Sequence, residues 1–99
     1  MTILRDGGRV TLVAEGRIDT YAAPRFAAEM EKALKGAEDL TLDFDSLIYI
    51  SSSGLRAVML AVKTMAKQGS LRIVNVSENV YGILEATGFT GVCDVEMKA

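Results

Sequence analysis

Leu40-Thr41-Leu42-Asp43-Phe44, then Ser51-Ser52-Ser53-Gly54, then Leu55, Val58, Met59, Val62, Met65 and Ala66 form the most informative stretch of the chain. The first five residues alternate apolar and polar, as a strand with one buried face does, and the last six recur at helical spacing. The serines therefore stand where a connection becomes a helix. Between strand and serines, Asp45-Ser46-Leu47-Ile48-Tyr49-Ile50 is unusually apolar for a loop. It is expected to pack down rather than move.

Serine suits such a junction because its hydroxyl accepts a hydrogen bond from a first-turn N–H that has no partner inside the helix. One cap needs one serine. Three in a row leave at least one hydroxyl at the surface, at the positive end of the helix dipole, where an added phosphate is electrostatically favoured. The junction reads either as a plain helix cap or as a serine phosphorylation switch.

Working outward, Ile3-Leu4-Arg5 and Arg9–Glu15 flank Asp6-Gly7-Gly8 and form a hairpin, with Gly16 ending its second strand. Arg17–Tyr21 connects to a first helix opening at Pro24 and running to about Lys35. Phe26, Met30, Ala33 and Leu34 form its buried stripe, Glu31 and Lys35 are spaced to pair, and Gly36 closes it. The serine-headed helix spans about Ser52 to Gln68 and stops at Gly69. A strand at Leu71–Val76, a third helix capped by Ser77 and ended by Gly88, and a short strand within Val92–Met97 complete the order. Helices alternating with strands imply parallel pairs made by right-handed crossovers. The predicted fold is a single α/β domain over residues 1–99, with a mixed sheet of four to five strands, an N-terminal antiparallel hairpin and about three helices.

Composition removes several functions. Ninety-nine residues make one core, and a formal charge of −2 gives no electrostatic footprint for nucleic acid. No run approaches the roughly 20 apolar residues of a membrane span, so a soluble, unexported, cytoplasmic domain is expected. The single cysteine, Cys93, cannot form an internal disulfide and reads as a small apolar residue. With no histidine, Ser-His-Asp and Cys-His catalysis and the usual zinc sites are excluded. Ser-x-x-Lys, the Gly-x-Ser-x-Gly elbow and the Gly-x-x-x-x-Gly-Lys-Ser/Thr phosphate loop are also missing. No enzymatic activity, metal or cofactor is expected in the chain itself.

Asp43-Phe44-Asp45-Ser46-Leu47-Ile48-Tyr49-Ile50-Ser51-Ser52-Ser53-Gly54-Leu55-Arg56 resembles the signature of the STAS domain, the family of bacterial anti-sigma factor antagonists. Gly16-Arg17-Ile18-Asp19 with Ala23-Pro24 is similar to the family's segment before its first helix. Asn79-Val80 with Leu84 and Thr87-Gly88-Phe89 is similar to its third-helix segment. The resemblance covers nearly the whole chain in the family's order.

The resemblance implies a phosphorylatable serine at Ser52, with Ser51 and Ser53 as further candidates, and Asp19 and Asp43 flanking it. Ser51 departs from the Asp that many members carry before the acceptor. The implied partners are an anti-sigma factor that is also a serine kinase, bringing ATP and Mg²⁺, and a separate serine phosphatase. No direct nucleic-acid contact is expected, given the net charge of −2. The implied alternative is an unphosphorylated STAS subunit of a transport or sensory complex.

The residues themselves suggest where a partner docks. Ser53, Arg56, Leu60, Lys63 and Lys67 recur at spacings of three and four on the outward face of the serine-headed helix. Either this is a solvated polar face with one stray leucine, or it is a docking ridge for an acidic partner. The ridge is favoured because this face starts at the serines and Leu60 breaks its polar pattern. Asp19, Asp43 and Asp45 read equally as turn and cap residues or as acids near the hydroxyl.

Overall fold

The computed structural model describes residues 1–99. Its elements are β1 (Thr2–Asp6), β2 (Arg9–Ile18), α1 (Ala23–Leu34), β3 (Asp39–Ile50), α2 (Ser52–Gln68), β4 (Ser70–Val76), α3 (Glu78–Ala86), a 3-10 turn (Phe89–Gly91) and β5 (Asp94–Met97). The five strands lie side by side in sequence order, β1 antiparallel to β2 and every later neighbour parallel. Parallel neighbours need a crossover, and right-handed crossovers laid down in one direction put all their helices on one face. The core follows from this: Leu12, Leu40, Leu42, Phe44 and Ile73 from the sheet join Phe26, Met30, Ala61, Met65, Val80 and Leu84 from the helices in one buried cluster. On the opposite face, Leu4, Thr11, Thr41, Arg72 and Asp94 form a row across all five strands, and none of them is fully buried.

The mixed sheet, the N-terminal hairpin and the three helices agree with the fold class read from the sequence. Helix boundaries agree because local chemistry sets them. Ser77 caps α3 by accepting from Val80 N–H at 3.3 Å, and Gly36 and Gly88 follow α1 and α3 with φ of 71° and 86°.

Two strand ends differ. Gly16 does not terminate β2; with φ of 74° it lies between two irregularities, and the strand resumes to Ile18. Nor is Asp45–Ile50 a loop. It continues β3, pairing Ser46, Leu47, Tyr49 and Ile50 with Glu15, Gly16, Arg17 and Ile18. A bulge shifts the alternation by adding residues to one strand only, so the period-2 pattern breaks although the pairing persists. The apolar content is explained all the same, since Leu47 and Ile50 are buried.

The buried face of α2 is also rotated from the expected stripe. Ala57, Val58, Ala61 and Met65 are buried, whereas Leu55, Met59 and Val62 are half-buried and Ala66 is exposed. Small side chains let α2 approach the layer beneath it, and α1 packs against it. On α1 the ion pair is Glu29–Lys32 at 3.4 Å rather than Glu31–Lys35, because Lys35 has already left helical geometry with ψ of 116°.

Candidate functional site: the serine junction and the outer face of α2

The three serines have three different environments. Ser51 is the N-cap of α2: its backbone is extended, and its hydroxyl accepts from Gly54 N–H at 3.2 Å. Its own N–H donates to Ile18 O at 2.7 Å, which fastens the helix start to the end of β2. Ser51 is 7% exposed. Ser52 is exposed, and Ser53 is half-buried. Ser and Asp are both strong N-caps, so Ser51 performs the capping that an aspartate there would perform.

Gly54 holds the junction close to the sheet. A Cβ on Gly54 would lie 2.7 Å from Ile50 Cγ1 and 2.8 Å from Ile18 Cγ2. The paired ends of β2 and β3 thus press directly on the first turn of α2, and only glycine leaves them room.

The aspartates separate. Asp19 follows Ile18 at the serine end, where its Oδ1 accepts from Tyr21 N–H at 3.1 Å and Ala22 N–H at 2.9 Å and ties down the turn into α1. Asp43 sits elsewhere, which corrects the placement implied by the resemblance. Its register partners are Val13 and Val74, on the open face of the sheet. From there β2 advances five residues to Ile18, roughly 15 Å at about 3.3 Å per residue. Asp43 Oδ1 accepts from Asp45 N–H at 3.0 Å and Asn75 Nδ2 at 3.1 Å, and Asp45 pairs with Lys98 at 3.5 Å. These carboxylates hold turns and strand ends.

Arg56, Leu60, Lys63 and Lys67 lie along the exposed side of α2, with Leu60 at 44% exposure. The helix carries no acid anywhere along its length. Beside the serines, Thr20, Ala23, Pro24, Ala27, Ser53 and Arg56 line an open groove between the first turns of α1 and α2.

Other surface groups at this end do not stand out in the sequence. Tyr21, in the turn held by Asp19, is 92% exposed, and Ile48, near the end of β3, is 58% exposed. Arg17 stacks over the Tyr49 ring at 4.8 Å, and Asn79 Nδ2 donates to Ile48 O at 3.0 Å. Ile48 reads as packed only while its segment reads as a loop. Nothing in the sequence distinguishes Tyr21 from a buried aromatic. Cys93 is half-buried, and burial first, then the charge of Asp94, pushes its thiol pKa up.

The chain is similar to several known proteins. The chain is 29% identical over 85 residues to the anti-sigma-B factor antagonist of Bacillus subtilis, a match spanning 85% of this chain and 78% of that protein. Its fold is similar to that of the Bacillus cell fate determinant SpoIIAA in the phosphorylated form, with a TM-score of 0.73, 17% identity, and 95% and 88% of the two chains covered. A sulfate transporter family protein from Wolinella succinogenes is similar at a TM-score of 0.77 and 20% identity, covering 94% and 80%. Residues 2–98 match the family model described as the STAS domain, and the chain therefore belongs to the STAS domain family, with anti-sigma factor antagonists among its relatives.

Proposed function

We propose that this protein is an anti-sigma factor antagonist switched by phosphorylation of Ser52. Unmodified, it binds an anti-sigma factor that is also a serine kinase, through the exposed face of α2 around Ser53, Arg56, Leu60, Lys63 and Lys67. That kinase, with its own ATP and Mg²⁺, transfers phosphate to Ser52 and releases the antagonist, and a serine phosphatase resets it. The chain acts by binding and catalyses nothing itself. No helix of the structure is long and apolar enough to cross a membrane.

The observation that carries the reading is the division among the serines. The Ser51 hydroxyl is occupied by its cap and buried, while Ser52 is exposed on the first turn, against the partially positive helix end. A phosphoserine adds about −1.5 to −2 charges at neutral pH, and in a close interface it must be desolvated and repels acids. A loss of about 3 kcal/mol lowers affinity on the order of a hundredfold. Incubation with the cognate kinase and ATP, read by mass spectrometry, is expected to place one phosphate on Ser52; no phosphate on any serine removes the switch. The likeness to a sulfate transporter family protein supports a second reading, an unphosphorylated module within a transport or sensory assembly.

A further inference from the structure

Arg56 takes part in none of the ion pairs or side-chain hydrogen bonds that hold the fold together, although it lies beside the serines. It stands four residues after Ser52 on α2, a spacing at which side chains share one face of a helix. Helical side chains lean toward the N-terminus, so a long arginine reaches back over the turn that precedes it. Its position on the same groove as Thr20 and Ser53 puts it at that first turn. The remaining lining is Ala23, Pro24 and Ala27, with no acid, and α2 contributes none either. Asp19, beyond the groove, is tied to the backbone of its own turn.

We propose that Arg56 is the intramolecular counter-ion of the phosphate on Ser52, and that phosphorylation silences the docking face partly by taking this arginine away from the partner. The proposal rests on the phosphorylation reading above and adds its internal mechanism. In the unmodified chain Arg56 has no intramolecular acid and is free to meet a carboxylate on a partner. After transfer, the guanidinium forms charge-assisted hydrogen bonds with the phosphate oxygens at the first turn of the helix. One modification then both adds negative charge and withdraws a cation from the docking face. Lys63, nearly two turns further along, stays outside the reach of the phosphate.

The test needs no kinase. Phosphoserine is installed at position 52 of the full chain during translation, and the second phosphate pKa is followed by phosphorus NMR in the parent, Arg56→Gln and Lys63→Gln proteins. A nearby cation favours the dianion, so removing it raises this pKa. Arg56→Gln is expected to raise it by about 0.5, the scale of an exposed helical ion pair with a divalent partner, and Lys63→Gln by clearly less. An unchanged value in Arg56→Gln, or equal rises in both variants, overturns the proposal. Because phosphate is supplied synthetically, this result is separate from whether a kinase modifies Ser52.

Discussion

The hydroxyl of Ser51 accepts the amide N–H of Gly54 at 3.2 Å, and both residues are buried against the ends of β2 and β3. This contact caps α2, the Ser51 N–H bond to Ile18 O at 2.7 Å pins the helix start to the sheet, and the next serine is left to solvent.

Ser51→Ala is expected to cost about 1 kcal/mol, the usual loss on removing a side-chain N-cap, as a lower urea midpoint with an unchanged slope. Ser51→Asp should retain most of that stability. Ser52→Ala, at an exposed position, should stay within about 0.5 kcal/mol of the parent. Equal losses at Ser51 and Ser52 would contradict the assignment of the cap.

Two helical glycines should respond in opposite directions. Gly54→Ala drives a methyl to within 2.7 Å of Ile50 and 2.8 Å of Ile18, so a loss of about 1–3 kcal/mol is expected despite the better helix propensity of alanine. At Gly82, in the middle of α3, an added Cβ would meet nothing within 4 Å. Gly82→Ala should stabilise by about 0.5–1 kcal/mol. Thermal unfolding of the two variants checks both signs.

Leu60→Glu should weaken binding of the proposed anti-sigma partner by tenfold or more, about 1.4 kcal/mol, while circular dichroism and unfolding midpoint stay close to the parent, since Leu60 is exposed. Unchanged affinity in a titration removes the docking role of α2.

Cys93 gives a pH signature. Burial and Asp94 raise its pKa above the ordinary 9.0, so the folded state holds its thiol proton more tightly than the unfolded chain. The associated stability is fully present below about pH 9 and is lost as pH rises from there through the folded value. Cys93→Ala should flatten that part of the stability profile. An identical alkaline decline in parent and variant would show that other groups set it.

The sequence was most informative where the governing interactions are local. Pro24, the Phe26-Met30-Ala33-Leu34 stripe, the Ser77 cap and the glycines after the helices each act within a few residues, and those elements lie where the pattern puts them. It was least informative where the sheet decides. The continuation of β3 to Ile50 depends on pairing with β2 across two irregularities, and no count along one strand reveals it. Ala57 and Ala61 are buried because they are small enough for close packing, whereas a hydrophobic pattern gives weight to Leu55 and Val62. The placement of Asp43 is also a property of the sheet: its distance from the serines follows from β2–β3 register. At the junction, the motif indicated a helix start with a serine to spare. Which serine caps and which faces solvent emerges only once Ile18, Ile50 and Gly54 are packed together.

A phosphate on Ser52 is proposed to end partner binding. Titration calorimetry of the anti-sigma factor with the unmodified chain and with the chain carrying phosphoserine at position 52 tests it directly. The unmodified protein is expected to bind tightly and to lose about a hundredfold or more in affinity on phosphorylation, about 3 kcal/mol. Equal affinity of the two forms would contradict it.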